Sequence, residues 1–159
     1  CKQLRKWMDE GKREVYISVN ISPKDFYFVD VYQSFVSLLE KYRIEPKHLK
    51  LEITESAVMM DFESHRELIN KLRSLGFVVE MDDFGSAYSS LNMLKDIDVD
   101  VMKLDMGFLQ QSQNSERGKT ILRMVIGLSK QLGIPVISEV WIPNARKERS
   151  RRRVVIRNL

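Results

Sequence analysis

The sequence predicts an α/β fold, a partial TIM-type (β/α) barrel with about five parallel strands and covering helices. Three observations lead there. Short β-branched, apolar runs alternate along the chain with segments of helical spacing, the pattern of a parallel sheet covered by helices. Neither a Gly-x-Gly-x-x-Gly nor a Gly-x-x-x-x-Gly-Lys turn occurs, so the nucleotide-binding doubly wound folds are not signalled. Polar residues gather where the strands are expected to end, which is where barrel enzymes carry their chemistry.

The elements follow in order. Leu4, Trp7 and Met8 fall at i, i+3, i+4, so residues 1–10 read as the last turns of a helix, stopped at Gly11. Val15–Ile21 reads as a strand and Asp30–Tyr42 as a helix with Val31, Phe35, Leu38 and Leu39 on its apolar face. Leu49–Thr54 is a strand. Asp61–Leu75 is a helix with Phe62, Leu68, Ile69 and Leu72 inward, closed by Gly76. Phe77–Met81 is a strand, Ser89–Leu94 a short helical piece, and Val99–Leu104 a strand. Ser115–Leu132 is a helix carrying Ile121, Leu122, Val125, Ile126, Leu128 and Leu132, and Val136–Ser138 opens a fifth strand. A full barrel takes about 250 residues, so this chain is expected to be incomplete at both ends. Two unpaired sheet edges are then expected, and with them a homo-oligomer.

Composition narrows the function classes. Of 159 residues, 43% are hydrophobic and 30% charged, an ordinary globular balance. No apolar run approaches the ~18–20 residues of a membrane helix, and the first residues lack a signal-peptide core. One Cys excludes an intramolecular disulfide and fits a reducing compartment. A cytoplasmic location is expected, which leaves open membrane attachment through an upstream segment. The net charge of +4 is unevenly spread. Residues 140–159 hold six Arg and one Lys against one Glu, whereas the other residues hold 19 basic and 21 acidic groups. The body therefore offers no basic footprint for nucleic acid. Residues 1–139 are read as the domain and 140–159 as a basic tail.

The expected strand ends carry Asn20; Glu52 and Glu55; Asp82 and Asp83; Lys103 and Asp105; and Glu139. Each alone has an ordinary explanation as a turn, a helix cap or a solvated strand position. Together they place amide, carboxylate and ammonium groups on one rim. Such hard oxygen donors suit Mg²⁺, Mn²⁺ or Ca²⁺, and no His or Cys lies among them. Paired cations can clamp the attacking and leaving oxygens of a phosphoryl transfer. A nearby lysine would hold the attacking water, and a further glutamate would take its proton. An enolase-like use of Lys103 beside a carboxylate-bound cation is the other chemistry these residue types allow.

The runs Val19-Asn20-Ile21-Ser22, Leu51-Glu52-Ile53-Thr54-Glu55-Ser56, Asp82-Asp83-Phe84-Gly85-Ser86-Ala87-Tyr88-Ser89-Ser90-Leu91, Lys103-Leu104-Asp105 and Val136-Ile137-Ser138-Glu139 resemble, in order, the signature segments of the EAL-domain phosphodiesterases. The likeness runs from Cys1 to Glu139. It implies hydrolysis of cyclic-di-GMP to a linear dinucleotide with Mg²⁺ or Mn²⁺. It further implies that Asn20, Glu52, Asp82 and Asp83 are metal ligands and that Lys103 holds the catalytic water. Glu139 would be the general base or water-orienting carboxylate. Glu55 would support the loop after the third strand, and Ser86–Ser90 would couple metal, substrate and dimerisation.

The departures from the family pattern are specific. The Glu-Ala-Leu segment, with its metal-binding glutamate and substrate-binding arginine, is not in the sequence. Ala87 replaces the usual glycine. After Glu139 the family's Gly-Val-(Glu/Asp)-Thr is replaced by Val140-Trp141-Ile142-Pro143. Deleting one G from GAA-GGT-GTG-GAT-ACC yields codons for Glu-Val-Trp-Ile-Pro. Residues 140–159 are therefore expected to be an out-of-frame translation. An intact gene with no Gly-Val-Asp-Thr in the neighbouring frame would refute this. The chain is expected to be inactive alone, the alternative being a cyclic-di-GMP-binding module without catalysis.

Overall fold

The computed structural model describes residues 1–12, 15–86, 91–143 and 149–155, with side chains for all of these except 91, 92, 139–143 and 149–155. Its elements in chain order are α1 (Lys2–Asp9), β1 (Ile17–Ile21), α2 (Pro23–Phe28), α3 (Val31–Tyr42), β2 (Leu49–Thr54), α4 (Glu55–Met60), α5 (Phe62–Ser74), β3 (Val78–Phe84), α6 (Leu91–Asp96), β4 (Val101–Leu104), α7 (Met106–Gln113), α8 (Glu116–Gln131), β5 (Val136–Pro143) and β6 (Arg149–Val155). A single 3-10 turn, Pro46–His48, leads into β2. The first five strands are parallel neighbours in sequence order. This is the parallel α/β, TIM-barrel-like arrangement that the alternating pattern predicts.

Alternation along the strands sorts side chains onto two faces. Leu49, Leu51 and Ile53 of β2, Val79 and Met81 of β3, and Met102 and Leu104 of β4 are all buried. They lie in register across the sheet, Leu51 beside Val79 and Met81 beside Met102. This apolar face meets the helices: Ile69 and Leu72 of α5, Leu122 and Val125 of α8 and Leu4 of α1 join the same core. Each such aliphatic side chain contributes about 1.5–3 kcal/mol on full burial. The other face carries Lys50 and Glu52 on β2, Glu80 and Asp82 on β3, and Lys103 on β4.

The helix faces are narrower than the periodicity suggested. Ile121 and Leu132 are 43% and 47% exposed, because the buried stripe of α8 centres on Leu122 and Val125. Three short helices, α2, α4 and α7, are additions to the sequence reading, and each has a chemical start signal. The Asp25 carboxylate accepts from the N–H and hydroxyl of Ser22 at 2.8 and 2.7 Å, with Pro23 at the first helical position. Thr54 Oγ1 accepts from the Ala57 N–H at 3.3 Å, and Asp105 Oδ1 from the Phe108 N–H at 2.8 Å.

The end of the sheet away from the strand C-termini is fastened by Arg73 and Asp100. The guanidinium of Arg73, on α5, donates from Nη2 to Asp100 Oδ1 at 2.9 Å. Asp100 Oδ2 accepts the Val79 N–H at 2.8 Å, so one carboxylate joins α5, β3 and the approach to β4.

The basic tail, for which the sequence signals no element, supplies a strand. β5 continues to Pro143 and pairs antiparallel with β6, from Ile137 beside Val155 to Pro143 beside Arg149. A ladder is made by backbone groups, so it needs no apolar repeat. The sheet edges among the described residues are therefore β1 and β6, and β5 is not an edge.

Candidate active site

The polar face converges on one ammonium. Lys103 is 1% exposed, and its Nζ lies 2.8 Å from Glu52 Oε1, 3.5 Å from Asp82 Oδ2 and 3.8 Å from Glu80 Oε2. Three adjacent strands supply these groups. Parallel pairing sets Glu52 beside Glu80 and Thr54 beside Asp82. The ladder between β3 and β4 is irregular between Met81 and Phe84, and Asp83 adopts φ +56°. Asp is among the residues that tolerate this left-handed conformation. The bulge ends the strict alternation at the Asp82-Asp83 pair, so the two carboxylates need not lie on opposite faces.

Glu52 is buried, whereas Asp82 is partly exposed. Asp82 Oδ1 accepts the Asp83 N–H at 3.1 Å. Burial is the largest cause holding the Asp82 carboxyl above its usual pKa, against the opposing pull of Lys103; the Asp83 and Glu52 carboxylates push it up as well. Positive charge placed here relieves that cost. Glu55, the first residue of α4, is 2% exposed, and its Oε2 accepts the Gly85 N–H at 3.4 Å. It thus braces the turn after β3.

The structure therefore brings together Glu52, Asp82 and Lys103, with Asp83 next to Asp82 at the end of β3 and Glu55, from the start of α4, hydrogen-bonded to the turn that follows. Asn20 is exposed on β1, in register beside Glu52. Glu139 lies on β5, two residues beyond the partner of Lys103, and its side chain is outside the described residues. Ala87–Ser90 are likewise outside them. Asp105 serves as the cap of α7. Glu80 was missed by the sequence reading. It is fully buried and pairs with Lys50 at 2.7 Å, and Lys50 lies over the Tyr16 ring at 4.2 Å. The signal was its spacing: two residues before Asp82 puts it on the same face.

As a donor set, Asn20, Glu52, Asp82 and Asp83 fit a hard divalent cation. Among the described residues, no three His, Cys, Asp or Glu side chains meet in metal-ligating geometry. The Lys103 ammonium bridges Glu52 and Asp82 instead.

A parallel barrel-type sheet with carboxylates and a buried lysine at the strand C-terminal ends defines the class of protein. A family model described as the EAL domain matches residues 1–140, and the chain belongs to that family. It is 31% identical over 148 residues to a bifunctional diguanylate cyclase/cyclic di-GMP phosphodiesterase, MucR, of Pseudomonas aeruginosa; the match spans 93% of this chain and 22% of that protein. It is 31% identical over 137 residues to another cyclic di-GMP phosphodiesterase of Pseudomonas aeruginosa, spanning 86% of this chain and 23% of the relative. The chain thus spans about a quarter or less of the length of these relatives. Among solved structures, the PaMucR phosphodiesterase in complex with c-di-GMP superposes with a TM-score of 0.78 at 30% identity, covering 91% of this chain and 58% of that one. No helix among the described residues is long and apolar enough to cross a membrane.

Proposed function

We propose that this chain carries most of a metal-dependent phosphodiesterase site that hydrolyses cyclic-di-GMP to the linear dinucleotide, and that these 159 residues alone do not turn over. The observation that carries the reading is the approach of Glu52 and Asp82 to Lys103, within 3.5 Å, at the strand C-terminal ends. The names of the relatives and of the superposed complex support cyclic-di-GMP as the ligand. Asn20, Glu52, Asp82 and Asp83 would hold Mg²⁺ or Mn²⁺. Such a cation, when bound, supplies polarisation of the phosphoryl oxygens and acidification of water. Lys103 would hold the attacking water through its ammonium, and Glu139 would take the proton. Glu55 keeps the turn after β3 in place for Asp82 and Asp83. Inactivity is supported by the lack of the Glu-Ala-Leu glutamate from these residues. The same reading treats 140–159 as a non-family basic tail and the location as cytoplasmic.

Incubating the chain with cyclic-di-GMP and Mg²⁺ is expected to release no linear dinucleotide; robust turnover would overturn the inactivity. Calorimetric titration with the dinucleotide separates the second reading, a non-catalytic binding module. Binding without cleavage that survives Asp82→Ala would favour it, since a receptor has no need of that carboxylate. Among the described residues β1 stands at an edge of the sheet, which supports self-association of this chain. Sedimentation at rising concentration is expected to show dimers or larger assemblies, and a monomer throughout would count against it.

A further inference from the structure

Three carboxylates surround the Lys103 ammonium, and only two of them belong to the proposed cation set. The third, Glu80, lies two residues before Asp82 on β3, farther from the strand C-terminus. It is fully buried, and Lys50 holds its Oε1 at 2.7 Å. Its Oε2 stands 3.8 Å from Lys103 Nζ, within ion-pair range and beyond hydrogen-bond range.

We propose that Glu80 is a positioning residue that receives the Lys103 ammonium when Glu52 and Asp82 engage a divalent cation. This rests on the reading of Glu52 and Asp82 as metal ligands. The two cations compete for the same oxygens. Lys103 already sits 2.8 Å from Glu52 Oε1, and a divalent ion bound there would repel it. The lysine stem is flexible. A shift of about 1 Å brings Nζ from ion-pair to charge-assisted hydrogen-bond distance of Glu80. The ammonium stays buried and paired throughout, whereas a displaced buried charge with no acceptor is costly. Lys50 keeps Glu80 anchored on its far oxygen, so that carboxylate is held back from the cation itself. If Glu80 were only the partner of Lys50, its removal would affect cation binding independently of Lys103.

The test is Mn²⁺ calorimetry on the full 159-residue chain as wild type, E80Q, K103M and the double variant, each checked for cooperative thermal unfolding. E80Q is expected to weaken Mn²⁺ binding roughly tenfold or more, the scale of losing an outer-shell partner. In the K103M background the same change is expected to cost less than about twofold, because no ammonium must be relocated. Equal losses in both backgrounds, or no loss from E80Q in the wild type, overturn the proposal while leaving the metal site standing. A wild type that holds no Mn²⁺ overturns both. If E80Q does not fold, E80D, which keeps a carboxylate for Lys50 but shortens its reach, is read in the same cycle with the same expected sign. A second measurement needs no variant: the Lys103 side-chain amine resonance is expected to shift on Mg²⁺ addition, and an unmoved resonance while Mg²⁺ binds overturns the proposal.

Discussion

Replacing Lys103 by Met is expected to destabilise the fold by about 3–5 kcal/mol, the usual consequence of removing one partner from a buried ionic cluster. The wild-type ammonium is 1% exposed and faces Glu52, Glu80 and Asp82. Without it, two buried carboxylates and one partly buried carboxylate share a low-dielectric face on which Lys50, paired with Glu80, still carries positive charge. Methionine replaces the aliphatic stem of the lysine and lacks only the terminal ammonium position, so lost packing is minor and lost charge dominates. Domains of this kind are stable by only about 5–15 kcal/mol, so the variant should unfold at a much lower urea midpoint. Mg²⁺ should restore more stability to K103M than to the wild type, because an added cation supplies the missing charge. An unchanged midpoint without Mg²⁺ would show that the carboxylates reach solvent and that the cluster is not a closed ionic unit.

Gly85→Ala is the second large effect, expected to cost about 2–5 kcal/mol by adding left-handed backbone strain to overpacking. Gly85 has φ +93°, and a Cβ there would lie 2.6 Å from Phe108 Cγ. The ring cannot simply step aside. The Phe108 N–H is tied to Asp105 Oδ1 at 2.8 Å, and the Asp105 N–H donates to Phe84 O at 3.0 Å, so the start of α7 is fixed to the end of β3. The Gly85 N–H is also the donor to Glu55, so the brace beneath Asp82 and Asp83 would be disturbed. Urea denaturation gives the magnitude. A Phe108→Ala change in the same chain should relieve the collision part and leave the backbone part. A Gly85→Ala midpoint within error of wild type would mean that the turn relaxes freely.

Much of this was legible in the sequence because it depends on long runs. Five strands announced themselves as β-branched apolar segments, and α3, α5 and α8 by more than two turns of apolar spacing. The helices α2, α4 and α7, of six to eight residues, are too short for periodicity to declare. Their evidence was chemical: Ser22 with Asp25, Thr54, and Asp105. The group Glu52, Asp82 and Lys103 was legible because strand C-termini in barrels gather on one rim. Asp105 shows the limit of that rule, since a strand-end acid can equally cap the next helix. Glu80 shows another, because attention to strand ends passes over an acid in mid-strand. The ladder between β5 and β6 was hidden because backbone pairing leaves no mark on side-chain pattern.

The opposite characters of the two sheet faces carry a consequence for how the chain finds its structure. If β3 slid by one residue along β2, Glu80 and Asp82 would turn toward the greasy side occupied by the helices, and Val79 and Met81 toward the ionic side. Every charge would lose its counterpart and every aliphatic group its neighbours in the same event. Misaligned pairings are therefore heavily penalised, and the buried ions act as a proofreading device for strand alignment before they take any part in chemistry.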